Sequence, residues 1–443
     1  MFTKSKRKTD FFLSRGGLSR NRSSSMKSVK PLKYTSTYMS SFDLDNLRPP
    51  SKRFINDPCT LYEIKEEKKT SEGKSPEKIL KTHKFTESET NEIRTYTEIY
   101  YIGNSQKKHN GVFDDEKGYY KTFVGDQIAF RYEILHIVGE GSFGIVVSCF
   151  DHKMHIPVAI KILRVGQQFK ENGELEVRNL NIILAAGQSE VIIEKLTEFV
   201  FREHFCIVFE LLSSDLFQFL KQNQFRGLPI GVLRRVATQL LIGLKQIHQA
   251  GLVHCDLKPE NILFKVSQKS GVKIIDFGSA CAINDKQFTY IQSRFYRAPE
   301  VMLELEYDEK IDIWSLGCIL FELYTGVPLF MGNDEAEQLC KVIETLGEIP
   351  KEMFKSSPRE ELFDEQFRLI QANVDRVVPG SNRISAQLKK TDSGFVSFLE
   401  ECLRIDYRNR MSAAGALMHP WITGNNGKSG NGVRAQNKSL NIF

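Results

Sequence analysis

The chain has 443 residues, 41% of them hydrophobic, which suits one large domain with extensions rather than a single small one. Eight cysteines lie scattered without a C-x-x-C pair, and no apolar run approaches the roughly 18 residues of a membrane span; Met1 to Lys8 carry charge where a secretory signal turns apolar, so a reduced, intracellular, soluble protein is expected. The net charge of +6 sits at the start, where residues 1–33 hold ten Lys/Arg against Asp10 alone, so a neutral body with a basic localisation or docking tail is expected, and no nucleic-acid partner.

Within that tail, Lys4-Ser5-Lys6-Arg7-Lys8 reads as a nuclear import signal or as a merely solvated basic run, which puts the protein in the cytoplasm with the nucleus as the alternative. Residues 1–80 are rich in Ser, Lys, Arg and Thr and lack a sustained period, so disorder is expected there, with Ser75-Pro76 a candidate phosphorylation site. Thr86 and Glu89 have capping-box spacing and predict a short helix. From Thr95 to Ile102 the β-branched and aromatic residues predict a strand, closed by Gly103-Asn104. The acidic cluster in 111–120 reads as a metal site or, better, as a solvated loop. These pieces are too small to fold alone, so 85–130 is expected to be an accessory segment packed on the domain that begins near residue 131.

Gly139-Glu140-Gly141-Ser142-Phe143-Gly144 has a G-x-G-x-x-G pattern, which dinucleotide-binding folds share. A dinucleotide fingerprint opens a helix at this point. Here Ile145-Val146-Val147 continues as a strand, giving a flap that can lie over phosphates. Val158-Ala159-Ile160-Lys161 then offers a strand lysine for phosphate, and that lysine needs a carboxylate partner. Glu171, Glu174 and Glu176 are available. Gly173 discourages helix before it, and a helix from about Glu174 turns Glu176 and Leu180 together toward the core, so Glu176 is selected. Phe205 to Leu212 is an apolar strand running into Ser213-Ser214-Asp215.

Apolar residues at helical spacing predict a helix over 231–249. After it come His254-Cys255-Asp256-Leu257-Lys258-Pro259-Glu260-Asn261, and then a buried strand, Val272 to Ile275, ending in Asp276-Phe277-Gly278. In this order and spacing, the flap, lysine, glutamate, loop and aspartate resemble the eukaryotic protein kinases over about residues 131–422. The resemblance implies an α+β, bilobal kinase fold, with a β-rich N-lobe and hinge over 131–212 and a helical C-lobe over 213–422. In such a site Asp256 is the base, Lys258 meets the γ-phosphate, Lys161 pairs the α- and β-phosphates beside Glu176, and Asn261 and Asp276 hold Mg2+ with ATP as phosphate donor. The flap residues Gly139 to Gly144 cover the nucleotide. Phe209 guards the back of the adenine pocket, Glu210 and Leu212 offer backbone hydrogen bonds, Asp215 binds ribose, and Val138, Val146, Ala159 and Leu263 belong to the same site. Lys258-Pro259-Glu260 resembles the serine/threonine type, and Glu300 is expected to form a buried ion pair with Arg410. A pseudokinase scaffold, the rival reading, normally lacks one of Lys161, Asp256, Asn261 or Asp276, and all four are present.

Phe288-Thr289-Tyr290-Ile291-Gln292-Ser293-Arg294-Phe295-Tyr296-Arg297, Cys255 within the loop, and Asp276 to Cys281 resemble the dual-specificity tyrosine-phosphorylation-regulated kinases, the DYRK family of the CMGC group. Asn91-Glu92-Ile93, Glu98 to Gly103, Asp114-Asp115 and Gly118-Tyr119 resemble the accessory segment and homology box of its class II members. This implies a monomeric enzyme that phosphorylates its own activation-loop tyrosine and then serine and threonine in protein substrates, often before proline, with no membrane partner. Cys255 replaces an arginine that holds an activation-loop phosphate in most kinases, so Arg294 and Arg297, four and seven residues after Tyr290, are the expected clamp. A packed aromatic is the plainer reading of Tyr290, and a mitogen-activated-type kinase switched on at Thr289 and Tyr290 by another enzyme is the alternative for the chain. The pattern departs from the family at Phe288, where the first tyrosine of a pair is replaced, and over 351–392. The polar residues 423–443 are expected to be disordered. Cys255 and Cys281 are expected to approach each other, as a pair that joins under oxidant or as two inert thiols.

Overall fold

The computed structural model describes residues 72–103, 111–266, 271–284, 290–359, 362, 364 and 377–424. The disorder expected over 1–71 and 425–443, and the readings of Phe288 and Thr289, lie outside those residues.

Order begins earlier than residue 80. Ser75 caps the helix α1 (Pro76–Thr82) by accepting from the Lys78 N–H, with Pro76 at the first helical position and Glu77 in the first turn. Ser-Pro-Glu is a helix start, which composition alone conceals. Ile79 of α1 is buried with Ile93, Ile99 and Phe130. Next, Thr86 and Glu89 form the reciprocal capping box of α2 (Glu87–Ile93). The strand expected over Thr95–Ile102 is instead an irregular stretch. Ile99 bridges Lys74 through N···O distances of 3.0 and 2.9 Å, and the N–H groups of Tyr100 and Tyr101 both donate to the Phe130 carbonyl. Its aromatic residues are used for packing, with the Tyr96 ring edge-on to Phe130 at 5.1 Å, rather than for a ladder.

The small lobe is built on a six-stranded antiparallel sheet: β1 (Gln127–Ile128), β2 (Tyr132–Gly141), β3 (Gly144–Asp151), β4 (Ile156–Leu163), β5 (Lys195–Phe201) and β6 (His204–Glu210), in spatial order β1-β2-β3-β4-β6-β5. The β2–β3 hairpin closes on the pair Gly141 and Gly144. A Cβ on Gly144 would overlap the Ile162 carbonyl oxygen, so only glycine lets the flap lie this close to β4.

Helix α3 (Gln167–Ala185) crosses behind the sheet and starts seven residues before the expected Glu174. Gly173 lies inside it, because a Cβ there would meet Phe205 Cδ1 at 2.6 Å; the glycine permits close helix–sheet packing and does not end the helix. The acidic loop before the sheet is not merely solvated. Asp114 Oδ1 lies 2.6 Å from Nε2 of the fully buried His204, whose Nδ1 faces the Leu163 carbonyl.

The second lobe is helical: α4 (Leu216–Gln222), α5 (Ile230–Gln249), α6 (Pro299–Met302), α7 (Lys310–Thr325), α8 (Glu335–Leu346), α9 (Lys351–Lys355), α10 (Ile384–Gln387), α11 (Ser393–Cys402), α12 (Ala413–Leu417) and α13 (Pro420–Thr423). α5 runs as the apolar spacing predicts, with Leu233, Leu240, Leu244 and Ile247 buried. α7 is buried nearly all round, so its apolar residues show no stripe. Between α5 and α6 lie two short ribbons, β7 (Leu252–Val253) with β10 (Cys281–Ala282) and β8 (Ile262–Phe264) with β9 (Val272–Ile274). Thr423, which the expected disordered tail includes, instead ends α13, and Gly424 closes that helix at φ 76°. Among the described residues no helix is long and apolar enough to cross a membrane.

Candidate active site

Lys161 stands on β4 opposite Val146 of β3. Its Nζ lies 2.7 Å from Glu176 Oε2 on α3 and 3.1 Å from Asp276 Oδ1 just past β9. Burial works to lower the Lys161 pKa, but Asp276 and Glu176 outweigh it and the group is held above its ordinary value, as ammonium. The Lys161 charge in turn holds Asp276 below the usual carboxylate range. Asp276 has φ 63°, a strained conformation for a non-glycine residue, and the residues after it are pinned in place. Asn179, also on α3, donates to the carbonyls of Phe277 (3.1 Å) and Ala280 (2.8 Å). One helix therefore places Glu176 and steadies the segment that carries Asp276.

The loop after β7 is anchored from below. The N–H groups of His254 and Cys255 donate to the fully buried Asp312 carboxylate of α7 at 2.9 and 3.1 Å. Cys255 then adopts φ 65°, which turns Asp256 outward. Lys258 Nζ lies 2.6 Å from Asp256 Oδ2, and the Ser293 hydroxyl donates to Asp256 Oδ1 at 2.8 Å. Burial acts to lower the Lys258 pKa and Asp256 overrides it, raising it. Asn261 Nδ2 donates to the Asp256 carbonyl at 2.9 Å, so its side-chain oxygen is the atom it can offer a cation. Asn261 and Asp276 thus present the hard oxygen donors that Mg2+ takes alongside substrate phosphates.

The roles of two residues of this arrangement escape sequence reasoning. Ser293 lies inside the activation-loop stretch, whose tyrosine and arginines carry the more obvious chemistry. Asp312 opens the run from Asp312 to Gly317 that resembles the structural core of protein kinases, but nothing local to it points 57 residues back to the loop.

On the nucleotide side, Cβ atoms added to Gly139 and Gly141 would meet nothing within 4 Å. Among the described residues no neighbour requires glycine at either position, which fits a flap kept bare for a ligand. Val138 and Phe143 are exposed on that flap, and Glu140 pairs with Ile145 across the hairpin. Ala159 pairs with the buried Phe209 across β4 and β6. The Glu210 N–H donates to the Glu194 carbonyl at 3.1 Å, and its carboxylate engages Lys273, so of its backbone only the carbonyl is left to offer. Leu212 is buried beyond the strand. Asp215 caps α4 by accepting from the Gln218 N–H at 2.7 Å and bridges Leu263, and burial raises its pKa.

Of the expected phosphate clamp, the structure brings Arg297 to Tyr290 and sends Arg294 elsewhere. The buried Arg297 guanidinium lies 4.0 Å from the centre of the exposed Tyr290 ring, while Arg294 donates to the Asn333 carbonyl at 2.5 Å. Arg297 also donates to the carbonyls of Ile291 (2.9 Å) and Gln292 (2.8 Å) and to Glu335 (2.6 Å). Glu300 and Arg410 form a fully buried bidentate pair at 2.6 and 2.9 Å. The Cys255 and Cys281 sulfurs lie 3.4 Å apart in the interior. Their mutual hydrogen bond and burial hold the Cys255 pKa well above the ordinary thiol value, so the distance for pairing is met but the reactive thiolate is disfavoured.

The sequence matches the protein kinase domain family over residues 132–422. It is 41% identical to serine/threonine-protein kinase ppk5 of Schizosaccharomyces pombe over 361 residues, covering 78% of this chain and 43% of that protein. Similarity is equal, 41%, to dual specificity tyrosine-phosphorylation-regulated kinase 3 of Rattus norvegicus (79% of this chain, 65% of that one) and to mbk-2 of Caenorhabditis elegans (79% and 47%). The matched region thus spans less than two thirds of the length of each of these relatives. A protein kinase domain implies ATP and a divalent cation, and with the paired Lys161–Glu176 and the Asp256 loop in place the chain belongs to the protein kinases, in their dual-specificity tyrosine-phosphorylation-regulated family.

Proposed function

We propose that this chain, acting as a monomer, transfers the γ-phosphate of ATP to serine and threonine hydroxyls of protein substrates with Mg2+, and that it first phosphorylates its own Tyr290. The observation that carries the reading is the state of Asp256, held at one oxygen by Lys258 and at the other by Ser293 beside an intact Lys161–Glu176–Asp276 cluster. Asp256 orients the attacking hydroxyl and takes its proton, while the Lys258 ammonium faces the transferring phosphoryl group. Lys161, kept charged by two carboxylates, positions the α- and β-phosphates. Asn261 and Asp276 would hold Mg2+, which neutralises charge developing on the phosphate oxygens. Every one of these groups comes from the one chain.

A preference for proline after the target residue has a physical basis as well. Arg297 caps the carbonyls of Ile291 and Gln292, next to Ser293 at the Asp256 carboxylate. A substrate N–H aimed at those carbonyls loses its acceptor, whereas proline has no N–H to leave unsatisfied. We place the protein in the cytoplasm, with Lys4 to Lys8 as the stretch to delete when testing nuclear entry.

The test is expression of the full chain in bacteria beside Lys161→Ala and Asp256→Asn. The native chain is expected to carry phosphate on Tyr290 by intact mass and phosphotyrosine blot. Asp256→Asn should lose roughly 10²-fold or more in phosphorylation of serine peptides while keeping its melting temperature. Peptide phosphorylation by Asp256→Asn at the native rate would remove Asp256 as the base, and an unmodified Tyr290 in the native chain would remove the self-modification.

A further inference from the structure

Three consecutive carbonyls at the tip of the flap are held by two residues outside it. The Tyr119 hydroxyl, from the accessory loop, donates to the Gly141 carbonyl at 2.9 Å. Arg164, one residue past β4, donates from its side chain to the Ser142 carbonyl at 3.3 Å and from its backbone N–H to the Phe143 carbonyl at 2.9 Å. The two holders are braced against each other. The Arg164 guanidinium stacks on the Tyr119 ring at 4.8 Å and on Phe169 of α3 at 4.5 Å, and its Nε donates to the Lys117 carbonyl at 2.8 Å.

Tyr119 is itself presented by a built turn. Asp115 Oδ1 accepts from the N–H groups of Lys117 (2.8 Å) and Tyr119 (2.9 Å), and Gly118 takes φ 80°, with its carbonyl accepting from the Val165 N–H. Those backbone bonds hold the Asp115 carboxyl below its ordinary range.

A trans peptide is planar, with its C=O and N–H pointing opposite ways. Fixing the carbonyls of Gly141, Ser142 and Phe143 toward Tyr119 and Arg164 therefore aims the N–H groups of Ser142, Phe143 and Gly144 the other way. Resting on the kinase reading above, these are the backbone donors with which the flap grips nucleotide phosphates. We propose that Tyr119 and Arg164 are positioning residues for the nucleotide: they fix the direction of the flap's N–H groups, so that the accessory segment sets the affinity of this site for the triphosphate.

Tyr119→Phe keeps the ring and its stacking on Arg164 and removes one donor. A net hydrogen bond of typical strength predicts an approximately two- to tenfold loss of nucleotide affinity. Calorimetric titration of the full chain with Mg2+ and the non-hydrolysable analogue AMP-PNP should show that rise in Kd for Tyr119→Phe. KM for ATP should rise by the same factor, with kcat and the peptide KM unchanged and the melting temperature preserved. Tyr101→Phe removes a hydroxyl of the same segment that donates to the Gly125 carbonyl at 3.0 Å, away from the flap, and should bind as the native chain does. An unchanged Kd in Tyr119→Phe overturns the inference, as does an equal rise in Tyr101→Phe, which would mark a general loosening of the segment. A native chain that binds AMP-PNP but transfers no phosphate would refute the catalytic reading alone, because the Kd comparison still judges the clamp.

Discussion

Glu322 of α7 shows how burial at a single position couples this fold to pH. Its carboxylate accepts from the Tyr296 hydroxyl at 2.7 Å in the interior, and burial lifts its pKa from 4.5 to about 7, the Tyr296 bond working against the shift and Glu260 adding to it. A folded pKa above the unfolded one means that the native state binds more protons between these values. The contribution to stability is therefore fully present below about pH 4.5 and is lost as pH rises through about 7. Glu322→Gln keeps an oxygen for Tyr296 and has nothing to deprotonate. Relative to the native protein it should gain stability on going from about pH 5 to about pH 8, by no more than roughly 3 kcal/mol. Urea midpoints at both pH values measure this, and parallel pH dependences would show that Glu322 does not titrate in this range.

Helix α3 carries the site's electrostatics because it is packed tightly enough to hold Glu176 against Lys161. Gly173 is the contact that permits this. By helix propensity alone, Gly173→Ala should stabilise by up to about 1 kcal/mol. The overlap with Leu163 and Phe205 predicts the opposite sign, since backbone or core must shift to admit a methyl group. The expected outcome is a lower melting temperature together with lower kcat, as α3 moves outward and the 2.7 Å Lys161–Glu176 contact lengthens. A more stable and fully active Gly173→Ala would mean that the helix accommodates the methyl group freely.

At the scale of the molecule, the accessory segment is stitched to the far edge of the sheet by polar contacts as well as apolar ones. Arg202, at the turn between β5 and β6, makes a bidentate pair with Glu92 of α2 at 2.9 and 2.8 Å, bonds the Tyr120 hydroxyl and stacks on Phe113. On the proposed self-phosphorylation, a nascent chain presenting its own Tyr290 to Asp256 needs a conformation other than the mature one, and a segment fixed to the small lobe can bias that state. A truncated chain beginning at Ala129, made in bacteria, is expected to carry much less phosphate on Tyr290 than one beginning at Glu72, ahead of α1. Burial of apolar surface as the segment's only role predicts instead a lower melting temperature with equal Tyr290 occupancy. Intact mass and a phosphotyrosine blot separate the two.

The motifs that define this protein are local: a bare glycine flap, a lysine on a strand, and an aspartate, lysine and asparagine within six residues. Chemistry that requires fixed residue types at short spacing is legible in a sequence; α5 is expected from its apolar period, and the two lobes and the buried Glu300–Arg410 pair only from the resemblance to protein kinases. The choice of Glu176 holds although the helix starts earlier than expected, because the side that faces the core depends on period and not on where the helix begins. What the sequence could not decide were contacts made by residues far apart in the chain. Gly173 reads locally as a helix breaker and is a packing contact, Thr95–Ile102 reads as a strand and makes an isolated bridge from Ile99 to Lys74 instead of a ladder, and Arg294 and Arg297 read alike but are separated by which carbonyls surround them. Ser293 at Asp256, Asp312 beneath the loop and Tyr119 at the flap belong to the same class. Each acts through a hydrogen bond spanning 22 to 57 residues, and only the folded chain brings such partners to within 3 Å or so of one another.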